Sequence, residues 1–454
     1  MSVKVAMVGT GYVGLVTGAC FAELGHHVTC IDIDRNKIEK IYSGILPIYE
    51  AGIDDLVKRN VEQGRLHFTS DIAEGVKSRD AVFIAVGTPS ESDGRADLRY
   101  VLEAAGNIAD NIDQFTVVVT KSTVPVGTNR RVHATMLSHL GSDDLFAVAS
   151  NPEFLREGAA IHDFMEPDRI VIGCDDPRAD TVMRRIYAPL TSREVPLLAT
   201  NIETAEMIKY AANAFLAIKV SFINEIADLC EPIGADVRAV SQGIGMDQRI
   251  GSSFLRAGPG WGGSCFPKDT RALLMTAKDL GMPARIVEAA LNANTQRKLS
   301  MVDRVRAACD GSLAGKKIAV LGVTFKGQTD DMRESPSLDI LPALIAEGAT
   351  VVAFDPSEPH DAARLLPGVE MVGTALDAAK DADLLVVMTD WMIFKSYDLT
   401  KISSQMNRRV MLDLRNLYDR DAVLASKFDR YHGLGYGEKP SPTIDQKPAL
   451  KAVG

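Results

Sequence analysis

The sequence predicts an α/β fold with two parallel-sheet domains joined by a central domain built on one long helix. In the amino-terminal part, short apolar runs ending in glycine or aspartate alternate with helix-like segments, and this alternation returns from residue 317 onwards. Between these parts, residues 202–231 contain neither glycine nor proline. Alternating strands and helices are typical of βαβ units around a parallel sheet, so we expect both outer domains to be Rossmann-like.

Four strands are predicted in each outer domain, because each run is apolar and short enough for a buried parallel strand. In the first domain, which also has a predicted helix at 12–24, the strands are 3–8, 28–33, 81–86 and 116–120. In the last domain they are 317–321, 350–354, 383–388 and 409–412. The predicted domains are 1–199, 200–299 and 300–432.

The central helix is predicted over 202–231 and is opened by Thr200 and Glu203, which have the spacing of a capping box. It runs to Pro232 and would be roughly 45 Å long. It is apolar on most faces, so it must be buried. We expect it to form a dimer interface, and burial by the chain's own domains is the alternative. Residues 433–454 are rich in glycine, proline and lysine and are predicted to be a flexible tail.

Composition excludes several classes of protein. The chain has 454 residues, with 50 basic and 60 acidic side chains and a net charge of −10, which disfavours nucleic-acid binding. No apolar run reaches the roughly 18 residues of a membrane span. Six cysteines without a C-x-x-C pair indicate a reducing compartment, so we expect a cytoplasmic protein. None of the eight histidines lies in a metal-binding pattern, and we expect no metal.

A dinucleotide-binding motif follows the first predicted strand. Gly9, Gly11 and Gly14 have the G-x-G-x-x-G spacing, which lets the backbone approach a pyrophosphate at a helix N-terminus. Asp32 closes the second predicted strand, where a carboxylate binds ribose hydroxyls and repels a 2′-phosphate. The sequence therefore predicts NAD rather than NADP. The alternative is a glycine-rich turn with an ordinary loop aspartate.

A second glycine-rich segment, residues 258–263, precedes Cys265. Glycines let backbone amides reach a ligand closely, and a cysteine behind such a loop is a candidate nucleophile. We expect Lys268 to lower the pKa of the thiol. The alternative is that Cys265 is a small buried hydrophobic residue.

Two further polar groups have a functional and a structural interpretation. Lys209 and Asn213 are four residues apart and share a face of the predicted helix, either as site residues or in a structural hydrogen bond or ion pair. The turn after the first strand of the last domain lacks the three-glycine pattern. Its Lys326 suits one phosphate-bearing ligand, or else it faces solvent.

The chain resembles the nucleotide-sugar 6-dehydrogenases, the UDP-glucose/GDP-mannose dehydrogenase family, from Val3 to about Tyr418. The motifs that carry the resemblance are 9–14 (GTGYVG), 86–89 (VGTP), 121–128 (KSTVPVGT), 151–158 (NPEFLREG), 209–215 (KYAANAF), 258–269 (GPGWGGSCFPKD), 325–326 (FK) and 333–335 (RES). Several independent motifs in the right order are far more specific than any one of them.

The resemblance implies an enzyme that oxidises a sugar C6 hydroxyl twice, to a carboxylate, with two NAD⁺ and water. It implies that Cys265 holds the intermediate aldehyde as a thiohemiacetal and then as a thioester. It favours UDP-glucose as the substrate, with GDP-mannose and UDP-N-acetylmannosamine as alternatives. A two-electron hydroxyacid dehydrogenase is another alternative. An inactive fold with a binding role is disfavoured because Cys265, Lys209 and Asp269 are all present.

The resemblance also implies residue roles. Lys209 stabilises oxyanions beside Asn213, Asp269 and Thr123 orient a water, and Arg249 reaches a substrate in the partner subunit. The implied catalytic residues are Cys265, Lys209, Asn213, Asp269, Thr123 and Glu153. Cofactor contacts are implied for Gly9, Gly11, Tyr12, Val13, Gly14, Asp32, Lys37, Thr88, Thr123, Glu157 and Arg333. Contacts with the nucleotide sugar are implied for Glu153, Phe154, Leu155, Arg156, Lys209, Asn213, Arg249, Phe254, Leu255, Gly258, Gly260, Trp261, Gly262, Phe325 and Lys326.

Overall fold

The computed structural model describes residues 2–437, which form two compact units. The first unit comprises residues 2–216, 262–291 and 326–333, and the second comprises residues 217–261, 292–325 and 334–437. Residues 326–333, predicted from their position to belong to the last domain, thus pack within the first unit.

The elements alternate as the sequence predicts. In the described residues the strands are β1 Lys4–Val8, β2 His27–Ile31, β3 Leu66–Thr69, β4 Ala81–Ile84, β5 Thr116–Thr120, β6 Phe146–Ser150, β7 Ile170–Cys174, β8 Leu197–Thr200, β9 Lys317–Leu321, β10 Thr350–Phe354, β11 Val369–Met371, β12 Leu384–Val387, β13 Val410–Asp413 and β14 Arg430–Gly433. The helices are α1 Tyr12–Glu23, α2 Arg35–Tyr42, α3 Ile53–Glu62, α4 Ile72–Val76, α5 Arg99–Ala109, α6 Thr128–Leu140, α7 Ala160–Met165, α8 Pro177–Thr191, α9 Ile202–Ile233, α10 Val237–Gly245, α11 Phe266–Asp279, α12 Arg285–Ala308, α13 Pro336–Ala346, α14 Ala362–Leu365, α15 Ala375–Ala379, α16 Leu399–Gln405 and α17 Arg420–Ala425. A 3-10 helix covers Met392–Ser396.

Each unit is built on one sheet, parallel in the second unit and mainly parallel in the first, which confirms the predicted fold class. Within the described residues the first sheet has the order β3-β2-β1-β4-β5-β6-β7-β8, with β6 and β7 antiparallel. The second has the order β11-β10-β9-β12-β13-β14 and is parallel throughout. In both sheets the strand order reverses at the first strand, which is β1 in one sheet and β9 in the other. Open α/β sheets bind ligands beside such a switch point, at the carboxyl ends of the strands.

Helices cover both faces of the first sheet. On β1, Val5 and Met7 belong to a core with α1, α3, α7 and α8, whereas Ala6 and Val8 belong to a core with α5 and α6. All four side chains are buried. Burial on both faces explains why this strand is a continuous apolar run rather than an alternating one.

The long helix is present as α9 and begins at Ile202 as predicted, but the predicted capping box is wrong. Thr200 ends β8, and Asn201 caps the helix by accepting a hydrogen bond from Thr204 N at 2.9 Å. The side chain of Glu203 instead pairs with Arg130 at 2.6 Å. The helix continues to Ile233, past the predicted end at Pro232. A proline in the last turn removes only its own N–H from the helix hydrogen bonds.

The chain by itself does not bury α9 on all faces, so the alternative of burial by its own domains alone is wrong. Phe215, Phe222 and Leu229 are 62%, 49% and 60% exposed. Their spacing of seven residues places them along one side of the helix.

Part of the predicted tail has a defined position. Gly433 is the last residue of β14, and Tyr436 forms an antiparallel bridge with Asp236. The backbone N–H of Gly437 donates to the carbonyl oxygen of Ala235. The rest of the tail, 438–454, lies outside the described residues.

Candidate active site

The turn between β1 and α1 has the shape that a bound pyrophosphate requires. Gly9 has a φ of +101°, and a Cβ there would lie 2.7 Å from the carbonyl oxygen of Ala85. A Cβ on Gly14 would lie 1.9 Å from the carbonyl oxygen of Gly9. The Cβ position of Gly11 is open, and within the described part of the chain no side chain caps α1. Backbone N–H groups and open space at a helix N-terminus suit an anion, so this turn fits the pyrophosphate of NAD.

Asp32 lies directly after β2 and is held in place by two neighbours. Its Oδ2 accepts hydrogen bonds from Thr10 N at 3.0 Å and Thr10 Oγ1 at 2.7 Å, and it pairs with Lys37 Nζ at 2.8 Å. Burial alone would raise the pKa of Asp32, but these bonds outweigh burial and the pKa lies below its ordinary value. Asp32 and Lys37, both implied cofactor residues, therefore lie together at the end of β2.

Tyr12 connects the dinucleotide turn to the loop that carries Glu153 and Glu157. Its hydroxyl is hydrogen-bonded to Glu50 and accepts from Gly158 N at 3.1 Å. Glu50 also accepts from Gly158 N at 2.8 Å. The two polar side chains thus fix this loop against α1, and the half-buried Val13 follows Tyr12 in the helix.

Thr88 and Thr123 follow β4 and β5 at the same edge of the sheet. Thr88 Oγ1 donates to the carbonyl oxygen of Thr123 at 3.0 Å, and Ser122 Oγ donates to that of Val86 at 2.6 Å. In the described residues no hydrogen bond joins Thr123 to Asp269, so their common role around a water stays a prediction.

Lys209 and Glu153 form a buried ion pair. Their Nζ and Oε1 atoms are 2.8 Å apart, and the side chains are only 4% and 5% exposed. Burial opposes both charges, but the Coulomb attraction outweighs it, raising the pKa of Lys209 and lowering that of Glu153. Both groups therefore stay charged at neutral pH. Glu153 Oε2 also accepts from Leu155 N at 2.6 Å.

Lys121 is a second buried cation beside this pair, and no role was predicted for it individually. Its Nζ donates to Asn151 Oδ1 at 3.0 Å and lies 3.5 Å from Tyr187 Oη. Burial lowers its pKa to about 8, although Glu153 acts in the opposite direction. A lysine directly after the fully buried β5 is the signal that could have identified it.

Asp269 is fully buried in the first turn of α11. It accepts a hydrogen bond from Asn213 Nδ2 at 2.6 Å and pairs with Lys268 Nζ at 2.6 Å. Asn213 lies one turn after Lys209 on α9, so the helix presents both predicted side chains to the same site. This arrangement brings together the two polar residues of α9 and the two charged residues that follow Cys265.

Cys265 is half-buried at the N-terminus of α11, and the sequence prediction for its pKa is wrong. Burial and the nearby Glu153 raise the pKa of the thiol above its ordinary value. The cation that acts in the opposite direction is Lys209, whereas Lys268 is paired with Asp269. The thiol is therefore protonated at neutral pH, and reaction at sulfur requires a base to remove its proton.

Glu157 and Arg333 come together around the cysteine loop. Arg333 Nη2 lies 3.4 Å from Glu157 Oε1, and its carbonyl oxygen accepts from Gly263 N at 2.8 Å. Lys326 Nζ donates to the carbonyl oxygen of Glu157 at 2.6 Å. Lys326 is thus close to the NPEFLREG loop, which its position in the sequence did not indicate.

The loop residues after Glu153 differ in their surroundings. The ring of Phe154 lies under the guanidinium of Arg169 at 3.7 Å and near Lys209 Nζ at 5.3 Å. Arg156 pairs with Asp163 at 2.5 Å. Sequence reasoning missed Arg169, which follows a Pro-Asp turn and carries no motif of its own.

In the second unit, the loop before Trp261 is anchored by hydrogen bonds. Gly258 N donates to Asn224 Oδ1 at 2.8 Å, and Arg297 Nε donates to the carbonyl oxygen of Gly258 at 2.9 Å. Trp261 is buried, and its indole N–H donates to Ser221 Oγ at 2.9 Å. These contacts hold a Gly-rich loop that would otherwise sample many conformations.

The other predicted nucleotide-sugar residues are distributed over both units. Gly262 is buried in the first unit. In the second unit Arg249 is 89% exposed on its side chain and pairs with Asp247 at 2.5 Å. Phe254 and Gly260, also predicted to contact the nucleotide sugar, have positive φ angles of +63° and +120°. Leu255 is buried. The carbonyl oxygen of Phe325 accepts a hydrogen bond from Arg415 Nη2 at 2.7 Å.

Two searches over residues 2–437 complete the description of the molecule. No helix there has the length and apolar character needed to cross a membrane. No group of three or more His, Cys, Asp or Glu side chains in these residues is arranged to hold a metal ion.

A Rossmann-like unit with a dinucleotide turn, a carboxylate after β2 and a cluster of charged groups defines an NAD-dependent oxidoreductase. Residues 3–191 match the NAD binding domain of the UDP-glucose/GDP-mannose dehydrogenase family, residues 203–296 its central domain, and residues 319–420 its UDP binding domain. The chain belongs to the UDP-glucose/GDP-mannose dehydrogenase family.

Relatives with known names cover almost the whole chain. A UDP-glucose 6-dehydrogenase of Rhizobium meliloti (strain 1021) is 52% identical over 95% of this chain and 99% of its own length. UDP-glucose 6-dehydrogenase TuaD of Bacillus subtilis (strain 168) is 46% identical over 95% and 93%. The structure of a UDP-glucose dehydrogenase from Pyrobaculum islandicum superposes with a TM-score of 0.88 at 36% identity, covering 96% of this chain and 98% of that one.

Proposed function

We propose that this enzyme oxidises the C6 hydroxyl of UDP-glucose to a carboxylate, with two NAD⁺ and water as the other reactants. The observation that carries the proposal is that Cys265, the Lys209–Glu153 ion pair and the Asn213–Asp269 pair lie in the same unit as the NAD-binding turn. The relatives named UDP-glucose 6-dehydrogenase support UDP-glucose over other nucleotide sugars.

Lys209 stabilises negative charge on the reacting oxygen. Its ammonium is buried, which opposes the charge, but the attraction of the Glu153 carboxylate outweighs burial and raises its pKa. A fixed positive charge in a site with little water stabilises a developing alkoxide far more than an exposed lysine does. NAD, when bound, supplies the acceptor for each hydride that leaves C6.

Cys265 captures the aldehyde that the first oxidation produces. The sulfur bonds to the aldehyde carbon and forms a thiohemiacetal, whose oxygen lies beside Lys209. Loss of a hydride from this carbon gives a thioester, so the reactive aldehyde stays bound between the two oxidations.

Asp269 and Glu153 act in the hydrolysis of the thioester. Asp269 is fixed by Asn213 and Lys268, and it helps to deprotonate a water that Thr123 orients. Glu153, held by Lys209, organises this water and exchanges protons with the product. The attack of water on the thioester carbon releases the carboxylate and returns the sulfur to Cys265.

The stoichiometry of the reaction tests this function. Purified enzyme is supplied with UDP-glucose, and NADH absorbance is compared with UDP-glucuronate measured by chromatography. Two NADH per UDP-glucuronate are expected, whereas a two-electron dehydrogenase gives one NADH per product. GDP-mannose and UDP-N-acetylmannosamine are run in parallel, and faster turnover of either would replace UDP-glucose as the substrate.

The enzyme is also proposed to be a homodimer through α9. Phe215, Phe222, Leu229 and Ile233 are exposed on α9, and these four residues define an apolar stripe. Large contiguous apolar patches on a surface mark interaction sites, and a symmetric dimer buries the same patch on both copies. Arg249, exposed in the second unit, is proposed to reach the nucleotide sugar of the partner subunit.

Location and domain limits are proposed on separate grounds. All six cysteines are unpaired, which suits the reducing cytoplasm.

The three family matches fall within the proposed domains 1–199, 200–299 and 300–432. Phe325 and Lys326 lie in the match to the UDP binding domain, which supports their contact with the nucleotide.

A further inference from the structure

Ser264 lies between the Cys265 thiol and the Glu157 carboxylate. Its Oγ is 3.5 Å from Cys265 Sγ and donates to Glu157 Oε1 at 3.3 Å. Among the described residues, Ser264 is the hydrogen-bond partner of the thiol. A hydroxyl both donates and accepts, so these contacts form one continuous path from sulfur to carboxylate.

The other carboxylates near the thiol each form a close ion pair with a lysine. Glu153 is in a close ion pair with Lys209, and Asp269 is in one with Lys268. Glu157 is held more loosely, because Arg333 approaches it only to 3.4 Å and is itself paired with Asp331 at 2.7 Å. Glu157 is therefore the carboxylate near Cys265 that is best able to accept a proton.

The charges around Glu157 support this role. Burial and the neighbouring Asp331 raise its pKa to about 7, and Arg333, Lys326 and the hydroxyl of Thr329 act in the opposite direction. A group whose pKa lies near the working pH both accepts and returns a proton efficiently. The charged groups that face Cys265 are Glu153, Lys209, Asp269 and Arg333.

We propose that Ser264 and Glu157 form a proton relay that activates Cys265, which rests on the nucleophilic role proposed for this cysteine. As sulfur bonds to the aldehyde carbon, its proton passes to Ser264 Oγ, and the serine's own proton passes to Glu157 Oε1. The C=O π bond breaks, and its electron pair stays on oxygen beside the Lys209 ammonium. When water later displaces sulfur from the thioester, Glu157 returns the proton through Ser264 to the departing thiolate.

The relay is tested by the alkylation of Cys265 with iodoacetamide in full-length enzyme without NAD or sugar. The rate is followed from pH 6 to 9.5 by peptide mass spectrometry. Because neither substrate is needed, a failure of the relay can be distinguished from a failure of the proposed overall reaction. Alkylation of the half-buried Cys174 in the same samples reports whether each variant is folded.

The relay and simple electrostatics predict opposite effects for Glu157→Gln. Removing a neighbouring negative charge lowers a thiol pKa and speeds alkylation. Losing the proton acceptor slows it, and we expect at least about a tenfold loss at pH 7.5, the change that one unit of thiol pKa produces. Unchanged or faster alkylation of Glu157→Gln overturns the proposal.

Three further variants complete the test. Ser264→Ala is expected to slow alkylation as much as Glu157→Gln, and the double variant to be no slower than either, because both break one path. Ser264→Thr, which keeps the hydroxyl, should retain a rate within about threefold of wild type. Thr329→Val, the matched control, removes another hydroxyl from Glu157 and should not slow alkylation. Multiplicative losses in the double variant, or a slow Thr329→Val, contradict the relay.

Discussion

Cys265 has two neighbours that favour reaction at sulfur, the Lys209 ammonium and the N-terminus of α11. In Cys265→Ser, the hydroxyl still adds to the aldehyde, but its ester hydrolyses slowly because an alkoxide leaves less easily than a thiolate. We expect this variant to accumulate a covalent ester and to lose at least about a thousandfold in steady-state turnover, roughly 4 kcal/mol. Intact-protein mass spectrometry after mixing with UDP-glucose and NAD⁺ detects the ester.

Cys265→Ala provides the complementary measurement. It has no nucleophile, so no covalent adduct with the substrate is expected, and the formation of UDP-glucuronate should fall at least as far. Near-normal turnover of this variant would show that the cysteine is structural.

Asp32 is expected to set the preference for NAD. Its carboxylate is held at the end of β2 by Thr10 and Lys37, where it would face the 2′-phosphate of NADP. Wild type should prefer NAD⁺ by at least about tenfold in kcat/KM, and Asp32→Ala should reduce this ratio. Initial rates with both cofactors measure it, and equal use of both by the wild type would contradict the interpretation.

Lys121 should leave a signature in the pH dependence of stability. Its pKa is about 8 in the folded protein against an ordinary 10.5, so between these pH values the unfolded chain binds more protons at this site. By linkage its contribution to the free energy of unfolding rises with pH through this window. Between pH 7 and pH 10.5, the free energy of unfolding of the wild type relative to that of Lys121→Met should rise by most of about 3 kcal/mol.

Urea unfolding of both proteins at several pH values measures this difference. Lys58→Met, at an exposed position of α3, is the matched control and should keep the wild-type pH dependence. A constant difference between wild type and Lys121→Met from pH 7 to 10.5 would show that the buried amine does not change its charge in this range.

The sequence predicted site residues that belong to motifs, and it did not indicate contacts between residues far apart in the chain. Gly9, Gly11 and Gly14 are recognisable as a motif because each position has a backbone reason for glycine. A Cβ would clash at Gly9 and Gly14, and the space beside Gly11 is open. The prediction for the surroundings of Cys265 was wrong. The adjacent Lys268 pairs with Asp269, while Lys209, far away in the chain, contributes the positive charge that acts on the thiol. Nothing local in a sequence distinguishes these two lysines.

At the scale of elements, the interaction of α9 with α6 depends on one buried carboxylate. Glu206 is 2% exposed and accepts hydrogen bonds from Gly127 N, Asn129 N and Asn129 Nδ2 at 2.7, 2.9 and 2.7 Å. Glu206→Ala leaves these donors without their acceptor and should lower the free energy of unfolding by about 2–4 kcal/mol. Urea unfolding followed by circular dichroism measures the loss.

Glu203→Ala on the same helix is the matched control. Glu203 is an exposed partner of Arg130, and surface ion pairs contribute about 1 kcal/mol or less. Equal losses in the two variants would contradict the role given to Glu206.

Four strands of the first sheet were predicted, whereas β6 and β7 were missed although they are nearly as buried as the predicted ones. The four strands predicted in the first domain correspond to β1, β2, β4 and β5, which are almost fully buried and therefore apolar throughout. The strand β8 was missed because its residues are only half-buried or exposed at the edge of the sheet. The N-cap of α9 was misplaced by one residue, since Thr200 and Asn201 are both good N-cap residues and only the end of β8 decides between them.

At the scale of the whole molecule, the exposed apolar stripe on α9 determines the expected oligomeric state. Wild type should sediment as a dimer of twice the 49.0 kDa chain. Phe222→Glu puts a charge at the centre of the stripe and should weaken dimerisation at least about a hundredfold, because burying an unpaired charge is costly. Analytical ultracentrifugation over a range of concentrations measures the change.

Tyr100→Glu is the matched control for the dimer. Tyr100 is an aromatic residue of α5 with the same 49% exposure as Phe222, and its replacement should leave the dimer intact. A monomeric wild type, or a Phe222→Glu variant that dimerises as tightly as wild type, would contradict the proposed interface.

The two sheets were predictable because each one repeats the same simple alternation of strand and helix. The membership of residues 326–333 in the first unit was not predictable. They follow a strand of the second sheet, and only their contacts with Glu157 and Gly263, far away in the chain, place them elsewhere.

The discontinuous make-up of the first unit also fixes the order in which its parts become available during translation. Glu153 and Lys209 leave the ribosome before Cys265, whereas Arg333 follows Cys265 by about 70 residues, or roughly 3–14 seconds of synthesis. For that interval the cysteine loop lacks the hydrogen bond from Gly263 N to the carbonyl oxygen of Arg333. The loop that carries the nucleophile can therefore be fully anchored only after residue 333 has been synthesised.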